Sequence, residues 1–249
     1  MEPPSLIPSD RSRHFAILVA AGFLFLQLFA DQTIATEKKF QVFSAHEKAK
    51  TKPALKPVIV PDELAVIERK YVAAKTLQAD FAQKDDIKLT GTQKVASGVL
   101  MIRHPNQFRW ETLKPDKNLL VSDGSKFWFY TPPFEAGERG QVIERKTSEV
   151  QSELANHVLS GAFSKMHGVE ITKLSSRRFK LIPAEGVAGT VKSAEIEIDP
   201  AKGVIEKLTL EHTGGNHSAI TLSNVTLGSK MADAFFHFAT PPATDVIRE

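Results

Sequence analysis

From Leu77 to Leu227 the chain is largely a succession of short segments in which apolar and polar side chains alternate, and that period of two constrains the fold most. In LQADFAQK, Leu77, Ala79 and Phe81 share one face and Gln78, Asp80 and Ala82 the other. QKVASGVLMIR alternates, FRWET follows, and NLLVSDG closes on an Asp-Gly turn signal before KFWFYT and QVIERK. GVEITKL, RFKLIP, KSAEIEID, VIEKLTLEH and HSAITLSNVTL continue the pattern. Hairpin-length turns join several of these segments. The reading is about ten antiparallel strands in one sheet long enough to curl.

Two segments break the period. After Pro61, Leu64, Ile67, Tyr71 and Ala74 recur at helical spacing, which predicts a helix starting with Asp62 as its N-cap. Between Ser148 and Phe163, an apolar stripe of Leu154, Val158, Leu159 and Phe163 predicts a second helix inserted into the sheet.

The first thirty residues are of another kind. Arg11, Arg13 and His14 precede the apolar run FAILVAAGFLFL, the pattern of a secretory signal, with cleavage expected after Ala30 or Ala35. The run from Phe15 to Ala30 is sixteen residues, short of the ~20 that a spanning helix needs, although an uncleaved anchor is the competing reading. Residues 31–60 carry six lysines among Pro53, Pro57 and the chain leading to Pro61, and read as a solvated linker. One domain is expected over 61–249.

The sequence holds no cysteine, so disulfides, thiolate chemistry and a lipid-modified N-terminal cysteine are excluded. A net charge of +3, from 32 basic and 29 acidic residues, gives no argument for nucleic acid. No nucleophile elbow, P-loop, dinucleotide fingerprint or H-E-x-x-H motif occurs. His212 and His217 flank Gly214-Gly215 and read as exposed residues of a hairpin loop rather than metal ligands. Asp123 reads as turn chemistry. No enzyme, metal site or cofactor is therefore expected. The chain instead supplies aromatic strand surface: sixteen phenylalanines, with Phe108, Trp110, Phe127, Trp128, Phe129 and Tyr130 close together. A curled sheet with only two short helices to fill its face can hold an apolar ligand.

The ordered motifs resemble a family. Phe81-x-Gln83, GVLMIRHPNQFRW from Gly98 to Trp110, Pro115, LVSDG at 120–124, WFYTP at 128–132 and FHFATPP from Phe236 to Pro242 are similar to the periplasmic outer-membrane lipoprotein carriers, the LolA family. The resemblance covers about residues 62–247. It implies an unclosed antiparallel β-barrel of about ten or eleven strands, lidded by α-helices over an apolar cavity. It also implies a monomeric periplasmic carrier that takes acylated lipoproteins from an inner-membrane ABC transporter to an outer-membrane acceptor. On that basis Leu100, Ile102, Phe108, Trp110, Val121 and Phe129 are expected to contact acyl chains, with Leu154 and Val158 lining the lid.

The chain departs from the family at one point. An arginine usually stands directly before the proline and is thought to latch the lid; here that position is His104, with Arg103 one residue earlier. A step of one residue in a strand reverses the face. Arg103 inherits the latch if a bulge near Pro105 turns it inward; otherwise His104 takes the position, with fewer donors and a charge that depends on pH. Two other functions fit the same scaffold: an envelope-stress module that senses lipids or lipoproteins, and a carrier of another amphiphile.

Overall fold

Pro61 holds the N-cap position of the first helix, α1 (Asp62–Ala74), so Asp62 lies in the first turn beside Glu63 rather than capping it. Both carboxylates there favour the positive end of the helix dipole. Leu64, Ile67 and Tyr71 form the buried stripe. Lys75 adopts a left-handed conformation (φ 64°) and donates its backbone N–H to the carbonyls of Tyr71 and Val72, ending the helix. The computed structural model describes residues 56–146 and 153–248. The expected signal segment, all but the end of the expected linker, and the start of the second expected helix lie outside these residues.

The strands are β1 (Thr76–Ile87), β2 (Thr92–Arg103), β3 (Gln107–Lys114), β4 (Asn118–Ser122), β5 (Lys126–Thr131) and β6 (Gly140–Lys146), followed after a helix by β7 (Val169–Lys173), β8 (Arg178–Pro183), β9 (Val191–Asp199), β10 (Val204–His212), β11 (His217–Leu227) and β12 (Thr244–Arg248). They form one twelve-stranded sheet in the order β12-β6-β5-β4-β3-β2-β1-β11-β10-β9-β8-β7. The chain thus meanders from β1 out to β6, crosses to the far edge, and meanders back to the free side of β1. Pairings are antiparallel except that β12 adds to β6 in parallel. β7 and β12 remain as edges, so the barrel is unclosed.

The crossing carries the second helix, α2 (Glu153–Leu159), and a 3₁₀ turn at Phe163–Lys165. The helix is shorter than the expected stripe because Gly161 ends it. That residue has φ +68°, and a Cβ there would stand 2.7 Å from the Tyr71 ring, so only glycine serves.

One half of the sheet, β2–β6, is covered on both faces. On the inner face, Leu64, Ile67 and Tyr71 of α1 and Leu154, Ala155, Val158 and Leu159 of α2 join the main core with Phe81, Leu100, Trp110, Leu208 and their neighbours. On the outer face of β2–β6, the segment from Gly228 to Ala243 runs as a strap. Its Phe236 is fully buried there, near Val121 and Val142, which are buried apart from the main core.

Candidate functional site

Strand register sorts the expected site residues. Leu100 pairs with Trp110, Trp110 with Leu120, Leu120 with Phe129 and Phe129 with Ile143, so one inner row crosses β2 to β6. The next row runs Leu77, Ile102, Phe108, Ser122, Phe127. Leu100, Ile102, Phe108, Trp110 and Phe129 are therefore all placed on the inner face, and all are buried. Leu154 and Val158 are buried on α2 in the same core.

Gly98 explains how the aromatic floor forms. It stands opposite Phe81 on β2, where a Cβ would lie 1.9 Å from the Glu111 carbonyl oxygen and 2.9 Å from the Phe81 ring. With no side chain in the way, Phe81 on β1 reaches across β2 to Trp110 on β3, ring centroids 4.1 Å apart. A continuous aromatic surface thus joins the core that α1 and α2 share.

Val121 is a correction. It pairs with Arg109 and Trp128, which point outward, so Leu120 is the inner residue of this strand and Val121 packs under the strap. Leu119, Leu120 and Val121 are all apolar because both faces of β4 are covered, and period alone cannot assign a face there.

Arg103 is a second correction. No bulge turns it inward: it pairs with Gln107 on the outer face. Its Nε donates to Gln107 Oε1 at 2.7 Å and its Nη1 to Asp233 Oδ1 at 2.6 Å, and its guanidinium lies 4.6 Å from the Phe236 ring centroid. It clamps the strap, not the helical lid. Arg109 assists, donating to Glu111 and to the Phe235 carbonyl. Trp128 and Tyr130 complete the clamp against Phe238, with centroids 6.3 and 5.4 Å away.

His104 continues the inner side of β2 and is tied to the end of α1, since its backbone N–H donates to the Lys75 carbonyl at 2.9 Å. Its imidazole Nε2 is buried and has no hydrogen-bond partner. Burial pushes its pKa below 6.5, and Glu68 of α1 opposes that shift. Glu68 in turn accepts from Ser164 N–H and Oγ, which joins α1 to the turn after α2. Tyr71 makes another tie: its hydroxyl accepts the Ile205 N–H at 3.0 Å, and burial raises its pKa to about 12.

His212 was expected to be exposed and is buried instead, as its place two residues after Leu210 on the inner face could have told. It lies 3.2 Å from Thr190 Oγ1 and 3.4 Å from Ser218 Oγ, and burial lowers its pKa against the pull of Asp85. His217 is exposed as expected. Asp123 does make a turn, accepting from Ser125 and Lys126. Among the described residues no group of three or more His, Asp or Glu side chains could hold a metal.

A half-open sheet, strapped behind and lidded by helices over an aromatic face, defines a class of β-rich protein with a coverable apolar surface. The family described as outer membrane lipoprotein carrier protein LolA matches residues 73–239, and the chain belongs to it. An outer-membrane lipoprotein carrier protein of Vibrio parahaemolyticus is 31% identical over 182 residues, 72% of this chain and 83% of the relative. Another from Vibrio campbellii is 33% identical over 170 residues, 68% and 77% of the two chains. A LolA-superfamily structure from Nitrosomonas europaea is similar with a TM-score of 0.39 and 9% identity, over 71% of this chain and 96% of that one.

Proposed function

We propose that this protein is a periplasmic carrier that holds the acyl chains of lipoproteins on its inner face and moves them from the inner to the outer membrane. The observation that carries this reading is the row Leu100–Trp110–Leu120–Phe129 on the inner face. In this form the row is buried in one apolar core with the side chains of α1 and α2. Acyl chains would take over that apolar contact once the helices swing away.

The energetics require such exchange. Each buried CH₂ contributes ~0.8 kcal/mol, so two or three chains amount to tens of kcal/mol gross, and unaided transfer through water is too slow. A carrier that binds by the full amount could not release its cargo. Opening the lid costs the helix contacts, which offsets part of the acyl burial and leaves the affinity moderate. We infer that His104 rather than Arg103 latches this lid, a reading supported by its backbone bond to the Lys75 carbonyl after α1 and by the charge of Glu68 acting on its imidazole.

The relatives named as outer-membrane lipoprotein carriers support the reading, as does the export pattern of the N-terminus. Among the described residues no helix is long and apolar enough to cross a membrane. An inner-membrane ABC transporter as donor and an outer-membrane acceptor complete the proposed route; no catalytic step belongs to it. The test is to purify the protein from its own envelope and identify what accompanies it by mass spectrometry. An acylated protein is the expected result, and consistent recovery with free lipid alone would overturn the choice of cargo.

A further inference from the structure

The inner face is not apolar along its whole length. On β1 it reads Leu77, Ala79, Phe81 and then Gln83, Asp85; on β3 it reads Phe108, Trp110 and then Thr112; on β4 it reads Ser122, whose hydroxyl is bonded to the Asn106 carbonyl and the Gly124 N–H, then Leu120 and then Asn118. Thr112 and Asn118 are cross-strand partners, and their row continues through Gly98 to Phe81, which Gln83 follows by one inner position. Polarity thus begins at the same end of the face on three strands.

These groups are buried and incompletely bonded. Gln83 is 3% exposed and Thr112 2%. Gln83 Nε2 donates to both carboxylate oxygens of Asp85, at 3.1 and 2.8 Å. That pairing fixes the amide orientation, because a flipped amide would set oxygen against carboxylate. Gln83 Oε1 therefore points away from Asp85, and it has no hydrogen-bond partner; nor have Thr112 Oγ1 and Asn118 Oδ1. A buried oxygen left unpaired is costly, and so many at one end of an otherwise apolar face call for a function. The intervening strand itself presents only Ala96 and Gly98 on this face beside them.

We propose that Gln83, Thr112 and Asn118 form a polar subsite that binds the hydrogen-bond-donating connector of an acylated ligand. The inference rests on the carrier reading above and deepens it. Two of the oxygens are amide carbonyls and accept only, while the threonine hydroxyl can do either. The matching chemistry is a group with N–H or O–H donors, such as the amide and amine that join acyl chains to a peptide. A carboxylate head has acceptors only and leaves these oxygens unpaired. With the connector at this end, the chains extend over Trp110, Leu100 and Phe129. The site then selects the polarity of the connector as well as the length of apolar chain.

Two probes test this in the purified protein: a synthetic dipalmitoyl-glyceryl-cysteinyl peptide, and cis-parinaric acid as a chain with a carboxylate head. Thr112→Val removes the hydroxyl at constant shape and leaves the Gln83–Asp85 bonds intact; Gln83→Met is the companion variant, and thermal unfolding checks that each folds. Each variant is expected to bind the lipopeptide ~10-fold more weakly and cis-parinaric acid within about 2-fold of the parent, and Thr112→Ser to restore lipopeptide binding. Equal loss for both probes, or no loss for either, overturns the polar subsite while leaving the apolar face as a binding surface. A parent protein that binds neither probe overturns the carrier reading together with it.

Discussion

The strap on the outer face and the lid on the inner face both pack against aromatic strand residues, by different means. The strap is fixed by direction: Arg103 bonds Asp233 and stacks on Phe236, Phe238 meets Trp128 and Tyr130, Arg139 pairs with Asp245 at 2.6 Å, and β12 completes a ladder with β6. The lid rests on Leu64, Ile67, Leu154, Val158 and Phe163 in the apolar core, with fewer directional ties to the sheet: the Tyr71 hydroxyl, the backbone of His104 and the Glu63–Lys173 ion pair, beside the Glu68–Ser164 bonds within the lid. Apolar contact is indifferent to its partner, so an acyl chain can replace a helix side chain at small net cost. It cannot replace an ion pair or a strand ladder. On the proposed carrier reading, the moving part is the inner lid and the fixed part is the outer strap.

The largest expected effects come from truncating one buried aromatic on each side. Phe163→Ala and Phe236→Ala should each cost about 3–5 kcal/mol in urea unfolding, since both side chains are fully buried. Lipopeptide binding at temperatures where both variants are folded separates them. Phe163→Ala loosens the lid and should alter binding, whereas Phe236→Ala should leave it unchanged. Equal changes in binding would mean that the two faces are not independent.

The contrast was only half legible in the sequence. Alternation assigned faces correctly on β1 and β2, where Leu77, Ala79, Phe81, Leu100 and Ile102 are all inward and buried. It failed on β4, where the strap makes the outer face apolar too and Val121 looks like Leu120. The strap itself joins residues more than a hundred positions apart, Arg103 to Asp233, and no local pattern announces such a contact. Of the polar end of the face, Gln83 was visible in the sequence, but as the close of an alternating segment and as part of the Phe81-x-Gln83 motif, and Asp85 carried no signal. The unpaired oxygens there depend on register with β3 and β4, which the sequence does not supply. The second helix was overdrawn because its apolar stripe runs on through Phe163, past the glycine that stops it.

A middle-sized effect distinguishes the two neighbours at the end of β2. Arg103→Leu removes a cation–π contact and an ion pair whose Asp233 side chain is 83% exposed, so solvent screening limits the cost to about 1 kcal/mol. The ratio of loaded to empty carrier should stay at the parent value. His104→Leu should change that ratio with little loss of stability, because it acts where α1 meets the sheet. If Arg103→Leu shifts the ratio and His104→Leu does not, the lid and the strap have been assigned the wrong latch.

The smallest effect is that of pH. Burial holds the pKa of His104 and of His212 below 6.5, with Glu68 and Asp85 pulling the other way. Between the folded pKa values and 6.5 the unfolded chain therefore binds more protons than the folded one, and stability falls as pH falls through that window. Above 6.5 both histidines are neutral in either state and contribute no slope. His104 is only partly buried, with Glu68 facing it from α1, so its share of the slope should be modest. Urea midpoints of the parent at pH 7.5 and 5.5 should differ in this direction, and His104→Leu should reduce the difference without abolishing it. A further share is expected from His212, which is buried between Thr190 and Ser218. A pH effect on cargo loading that disappears in His104→Leu while the His212 part of the stability slope persists would place the proton at the lid. Persistence of that loading effect in His104→Leu would move it to the polar end of the face.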